Sequence, residues 1–356
     1  MTTAYINRIA TAVPPNDLHE TFVTYARSLL KDPRKERIFD KMVEKSQISH
    51  RWSCQQSTPN NEYTLVGGAP FLIAGKFPTT ASRMLAYETE AYRLAESAID
   101  KLAIGAIAHD ITHIIITSCT GFSAPGIELQ LIERFGLNPS IERTIVGFMG
   151  CYAAINGLKL AHHIVRSEPD AKVLMVSVEL CTLHFQETDD LEQILMFLLF
   201  ADGCAAALVS AEPEGLALTS FRAEVIPGTR ELMSWHIRDM GFDMMLSGDV
   251  PHSVFRAMKS GSERILGGRP ARDIDMWAVH PGGRTVLDAV EAAFTLPSTA
   301  LRHSRDVLNE YGNMSSATVL FVLKRFLDEN RRGKQGCAMS FGPGLTAETM
   351  LFRAPE

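Results

Sequence analysis

The chain of 356 residues carries a formal net charge of -6, with 46% hydrophobic and 21% charged residues, the balance of an ordinary globular protein rather than a disordered one. Its charges are well mixed, with no long basic block, so the electrostatic footprint of a nucleic-acid binder is missing. The cysteines at 54, 119, 151, 181, 204 and 337 form neither a CxxC pair nor a secreted framework. The N-terminus lacks a basic segment followed by an apolar one, and the apolar run Ile194 to Ala201 is too short to cross a bilayer. A reduced, cytoplasmic protein without a transmembrane segment is expected.

In chain order, Tyr5 to Val13 reads as a strand closed by Pro14-Pro15, and Asp17 then caps a helix to about Leu30. The next helix, Glu36 to Lys45, places Arg37, Lys41 and Lys45 at a spacing of four, a face that can hold phosphates or simply meet solvent. Asn60 to Pro78 reads as a loop or flap, and Ser82 to Leu102 as a long amphipathic helix. The buried strand His113 to Cys119 leads through Thr120-Gly121 to a helix that starts at Pro125 and stops near Gly136. Ile141 to Gly147, a helix from Tyr152 to Arg166, Lys172 to Cys181, a helix over Leu191 to Phe200 and the strand Gly203 to Ser210 continue the alternation, which predicts a parallel sheet in a layered α/β fold.

The pattern changes around Pro213-Gly215, where Leu216 to Ile226 and Leu232 to Leu246 read as antiparallel strands with a turn at Gly228. Alternation then resumes with a helix over Val250 to Leu266, a strand over Asp275 to His280, and helices over Arg284 to Phe294, Ser298 to Glu310 and Asn313 to Asn330. Cys337-Phe341 and Glu348-Phe352 close the chain as strands. The grammar divides it into halves, 1–214 and 215–356, without a residue-level repeat between them.

Three residues draw attention because each stands where a strand or loop meets a helix. Cys151 ends the run Phe148-Met149-Gly150, where first-turn NH groups would favour a thiolate. His280 heads Pro281-Gly282-Gly283, and Asn313 lies in Gly312-Asn313-Met314-Ser315-Ser316. Taken singly they also read as a small buried hydrophobe, a structural histidine and a helix N-cap. Taken together they make a nucleophile, a base and an amide donor. The dispersed histidines and cysteines lack metal-ligand spacing.

Gly150-Cys151, Ala201-Asp202-Gly203, His280-Pro281-Gly282-Gly283, Tyr311 to Ser316 and Phe341-Gly342-Pro343-Gly344-Leu345-Thr346-Ala347-Glu348 together resemble a bacterial-type member of the type III polyketide synthases, the chalcone and stilbene synthase superfamily. The resemblance runs from about residue 5 to the C-terminus. It implies a thiolase-like fold of two related α/β halves forming a layered αβαβα core, a homodimer, and catalysis on an acyl-CoA starter and malonyl-CoA without a cofactor. Cys151 would carry the acyl group, and His280 with Asn313 would stabilise the enolate formed when malonyl-CoA loses CO2. Phe200 would be a gatekeeper, Met244 stands in place of a second phenylalanine, and Lys41 and Lys45 would hold CoA phosphates, with Ile38 departing from the family's basic residue. Ala124 and Pro125 lie where the family reaches across its dimer.

By the same resemblance Cys119, Cys181 and His184 replace cavity threonines of the plant enzymes, Met196 replaces a small residue and Trp235 a glycine, while Gly342 and Pro343 would shape the cavity floor and Ser315 would be a further substrate-binding residue. The sulfur-rich lining points to a fatty acyl starter and an alkylresorcinol or alkylpyrone product, and Trp235 points the other way, to a phloroglucinol- or tetrahydroxynaphthalene-type synthase using malonyl-CoA alone. A thioesterase and a non-catalytic acyl-CoA-binding module on the same fold are the readings from other classes.

Overall fold

The computed structural model describes residues 2–59 and 63–356. One nine-stranded sheet runs through it, in the order Met276–Val279, Gln335–Gly342, Thr346–Arg353, Leu216–Val225, Tyr5–Ala12, Asp202–Ser210, Val173–Leu180, His113–Ser118 and Glu142–Gly147. The two ends of this sheet are joined only where Tyr5 and Ile6 pair with Ala217 and Leu216.

Alternation of side chains along the strands sorts the core into layers. Val173, Met175, Ala205 and Ala207 pack inward with Met276, Ala278, Ala338 and Phe352 against the central helices Ala153–Ser167 and Thr318–Glu329. Their neighbours Leu174, Val176, Cys204 and Ala206 face the long helix Thr80–Leu102 on one outer side. Trp277, Val279, Cys337 and Met339 face Val250–Ile265 and Arg284–Phe294 on the other. The result is the expected αβαβα layering.

The helices end where local chemistry stops them. Asp32 accepts from Arg34 N at 2.8 Å and Pro33 fills the first turn of Pro33–Ser46, which stops at Gln47 with φ 57°. Thr79 caps Thr80–Leu102, whose buried positions Tyr87, Ala91, Leu94, Ala98 and Leu102 follow the helical period.

Several expectations need correction. The sheet is mixed, not parallel: only the pairs that a helix crossover joins, such as His113–Ser118 with Glu142–Gly147, are parallel, while Gln335–Gly342 and Thr346–Arg353 form a hairpin. Of the stretch read as a loop, residues 60–62 lie outside the described residues, and Tyr63–Val66 and Ala69–Ile73 form a small hairpin. Leu216–Val225 belongs to the main sheet, whereas Met233–Arg238 and Gly241–Leu246 make a separate hairpin turning at Asp239-Met240. The helix Leu191–Phe197 stops short of Phe200, which bridges to Asn313 in extended form. Arg302–Tyr311 starts later than Ser298, and one 3-10 turn, Ser315–Ala317, precedes Thr318–Glu329.

The layering makes a testable demand on Phe352, which is fully buried in the central layer and lies over Gly336. Phe352→Ala should cost about 3–5 kcal/mol in chemical denaturation, because a packed ring is replaced by a cavity. A loss below about 1 kcal/mol would contradict this packing.

Candidate active site

Cys151 sits in the turn between Glu142–Gly147 and the helix Ala153–Ser167. To make that turn, Phe148 takes φ 59° and Gly150 φ 80°, and Gly150 N donates to Cys119 Sγ at 2.9 Å. Any side chain at Gly150 would strike the ring of Pro343, and one at Gly342 would meet the ring of Tyr152 and the Cys151 backbone. The two glycines therefore let the C-terminal loop press directly on the nucleophile's turn. Ser315, with φ 47°, places its Oγ 3.7 Å from Cys151 Sγ. Left-handed conformations at Phe148 and Ser315 are unusual for residues with a side chain, and both stand at this one site.

His280 follows the strand Met276–Val279 and is anchored by its backbone N donating to Met339 O at 2.8 Å. It is buried, yet neither ring nitrogen has a hydrogen-bond partner among the described residues. Asn313 is held through its backbone, its N donating to Leu199 O at 2.8 Å and its O accepting from Ala201 N at 2.9 Å. Its side-chain Oδ1 accepts from Ser315 N at 2.9 Å, and Nδ2 donates to Gly282 O at 3.2 Å. Asn313 thus caps the 3-10 turn and ties the His280 loop, with one amide proton left to donate.

Cys151, His280 and Asn313 line one wide cavity with Phe200, Met196 and Met244, and Lys45 and Met42 stand on its wall from the helix Pro33–Ser46. Lys41, one turn earlier on that helix, is exposed. A smaller cavity beside Cys151 is lined by Cys119, Cys181, Trp235, Met244, Ser315 and Pro343. Trp235 and Met244 are cross-strand partners in the separate hairpin, which explains why they reach the site together. His184 stands behind this wall: Nε2 lies 2.7 Å from Thr120 O, Nδ1 accepts from Phe242 N at 3.1 Å, and the ring stacks on Phe242. Its role in this chain is to hold the wall rather than to line the cavity.

Burial pushes the Cys151 thiol up to about 12, with the Ser315 hydroxyl pulling down and Glu179 adding to the rise. Burial likewise pushes His280 down to about 3. Removal from water thus works against the thiolate that the first-turn NH groups favour. Burial favours the neutral form of each group, and a neutral imidazole lining the same cavity as the thiol can both accept a proton and donate one.

Two buried groups had no role in the sequence reading. Glu179 bonds Cys119 N at 3.0 Å, Thr120 Oγ1 at 2.8 Å and the Ser316 hydroxyl, and burial pushes its carboxyl up to about 7. Its signal was a lone carboxylate in the otherwise uncharged, mostly apolar run Val173–Leu180. Arg51 donates to Phe197 O at 2.7 Å and Phe200 O at 2.9 Å, fixing the backbone of the gate. Nothing in its local sequence announces this, since its partners lie far along the chain.

N-terminal and C-terminal domain models of the chalcone and stilbene synthases match residues 2–213 and 217–355. The chain belongs to this family, the type III polyketide synthases, and is an enzyme of the acyltransferase type. It is 30% identical to the alpha-pyrone synthesis polyketide synthase-like Pks18 of Mycobacterium tuberculosis, over 99% of this chain and 91% of that protein. It is also 30% identical to bisdemethoxycurcumin synthase of Oryza sativa subsp. japonica, over 99% and 92%. PKS-I from the brown alga Ectocarpus siliculosus superposes with a TM-score of 0.86 at 29% identity, covering 99% of each chain.

The charge states make a pH prediction. Below a raised thiol pKa the thiolate fraction grows tenfold per pH unit. Alkylation of Cys151 by iodoacetamide in the substrate-free enzyme, followed by peptide mass, should therefore climb about tenfold per unit between pH 6 and 8. A rate already flat over that window would mean a resting thiolate–imidazolium pair and would contradict the account.

Proposed function

We propose that this type III polyketide synthase loads a fatty acyl group from CoA onto Cys151, extends it with malonyl-CoA and releases an alkylpyrone or alkylresorcinol. The observation that carries the reading is His280, a buried imidazole with no hydrogen-bond partner among the described residues, lining the same cavity as Cys151 and Asn313. A buried polar group left unpaired costs stability, so its persistence points to a partner that arrives with substrate.

In loading, the Cys151 thiol attacks the acyl carbonyl as His280 takes its proton, and the proton leaves with the CoA thiol. In extension, malonyl-CoA loses CO2, and the negative charge gathers on its thioester oxygen. His280 N–H and the remaining Asn313 amide proton stabilise that oxygen, each such donor worth about 3 kcal/mol of barrier. The enolate carbon attacks the Cys151 thioester, and the lengthened chain returns to CoA. The 1–214 half contributes the nucleophile and the 215–356 half the histidine and asparagine.

Lys41 and Lys45 are the residues we assign to the CoA phosphates, with no further cofactor needed for this chemistry. The cavity residues Cys119, Cys181, Met196, Met244 and Phe200 are apolar or weakly polar, which suits an alkyl chain. A relative named for alpha-pyrone synthesis supports the pyrone as product class. We further propose a homodimer in the cytoplasm. The strand Glu142–Gly147 is a sheet edge with Ile145 exposed, and Phe122 and Met149 are exposed nearby, the kind of edge that a second copy would cover. No helix among the described residues is long and apolar enough to cross a membrane.

The test is incubation with malonyl-CoA and CoA starters from acetyl to stearoyl, with products read by mass. Long-chain pyrones or resorcinols that vanish in Cys151→Ala are expected. Product from malonyl-CoA alone or from short starters would assign the cavity behind Trp235 to a phloroglucinol- or naphthalene-type synthase. Thioester cleavage without malonyl consumption would replace the synthase reading with a thioesterase.

A further inference from the structure

Arg51 is 4% exposed, and no carboxylate among the described residues stands in ion-pair contact with its guanidinium. Burying such a charge is costly, so what it bonds instead is informative. Nη1 donates to both Phe197 O at 2.7 Å and Phe200 O at 2.9 Å, Nε donates to His19 Nδ1 at 3.0 Å, and the group lies over the Phe22 ring. Its backbone is tied as well, N donating to Asp17 Oδ1 at 3.1 Å and O accepting from Leu18 N at 2.9 Å. Arg51 is a fixed post inside the protein rather than a solvated cation.

The two carbonyls it grips flank a junction. Phe197 O lies at the end of the helix Leu191–Phe197, where carbonyls lose their helical partners, and Phe200 O lies in the extended segment beyond. Between them Leu199 O accepts from Asn313 N at 2.8 Å, and just after them Ala201 N donates to Asn313 O at 2.9 Å. The stem of Arg51 reaches the other side of the same junction. A side-chain carbon at Gly312 would come within 2.9 Å of Arg51 Cγ and 3.1 Å of Leu199 O. Arg51 therefore holds one partner with its donors and packs its methylenes on the residue before Asn313.

We propose that Arg51 is a positioning residue for the decarboxylation of malonyl-CoA: by holding residues 197–200 against Gly312, it fixes the backbone from which the Asn313 amide is aimed. This rests on Asn313 being the oxyanion donor. Without the guanidinium, two buried carbonyls lose their donor, and the segment must shift to find others. A displacement of about 1 Å at such a donor can cost about a hundredfold in rate. Cys151 is held by other contacts, through Gly150 against Pro343 and Cys119 and through Ser315, so its own reactivity should not follow.

Arg51→Met keeps the stem over Gly312 and removes the donors. Its kcat for release of labelled CO2 from malonyl-CoA should fall by about tenfold to a hundredfold, with KM and the rate of Cys151 alkylation by iodoacetamide little changed. Because the effect runs through Asn313, the double variant Arg51→Met/Asn313→Ala should release CO2 no more slowly than Asn313→Ala alone. Wild-type release in a folded Arg51→Met, losses that multiply in the double variant, or an equal loss of Cys151 alkylation would each overturn the assignment. If Arg51→Met fails to fold, Arg51→Gln, whose shorter amide cannot keep both carbonyl bonds, takes its place under the same criteria. If the wild-type enzyme itself releases no CO2, the failure lies with the proposed function. Hydrogen exchange at the Ala201 and Asn313 amides then still decides the clamp: about tenfold faster or more in the Arg51 variant supports it, and unchanged exchange overturns it.

Discussion

The site depends on two backbone hydrogen bonds that cross between the halves, Asn313 N to Leu199 O and Ala201 N to Asn313 O. They seat the loop that carries the amide donor against the segment that carries the Phe200 gate. Neighbouring residues make the approach possible: a side chain at Gly312 would crowd Leu199 O and Arg51, and one at Gly203 would strike Met314. Cys151 comes to this junction from one layer of the fold and His280 from the other, each at the end of a main-sheet strand. Neither half alone brings the nucleophile and its helpers into one cavity.

The same junction concentrates groups that are costly to bury. His280 has no hydrogen-bond partner among the described residues, Glu179 is held by three donors yet is pushed towards its neutral form, and burial pushes the Cys151 thiol up. A core built only for stability would avoid these. In a condensing enzyme they are useful. A neutral imidazole can take the thiol proton during loading and donate N–H to an enolate afterwards, and a dry cavity strengthens both interactions.

Much of this was legible beforehand. Cys151, His280 and Asn313 stood out as a set, each where a strand or loop meets a helix inside a matching motif. The alternating patterns predicted a layered α/β fold, and its αβαβα form was what the family resemblance implied. What escaped was set by distant contacts. The mixed sheet depends on which strands become neighbours, and Tyr5–Ala12 finds its antiparallel partner about two hundred residues away. His184 was placed on the cavity wall by position alone, whereas its ring is consumed by Thr120 and Phe242. Arg51 braces the gate through carbonyls that no local pattern reveals. Burial, which pushes the Cys151 thiol up against the helix-terminus effect, is set by residues from across the fold.

The account separates two chemistries, acyl transfer at Cys151 and decarboxylation at His280 and Asn313. Release of labelled CO2 from malonyl-CoA by Cys151→Ala and by Asn313→Ala tests that separation most directly. Cys151→Ala should still release CO2, while Asn313→Ala should release it about a hundredfold more slowly or worse, the loss expected for one oxyanion donor. Release abolished in Cys151→Ala and unchanged in Asn313→Ala would contradict the division of roles.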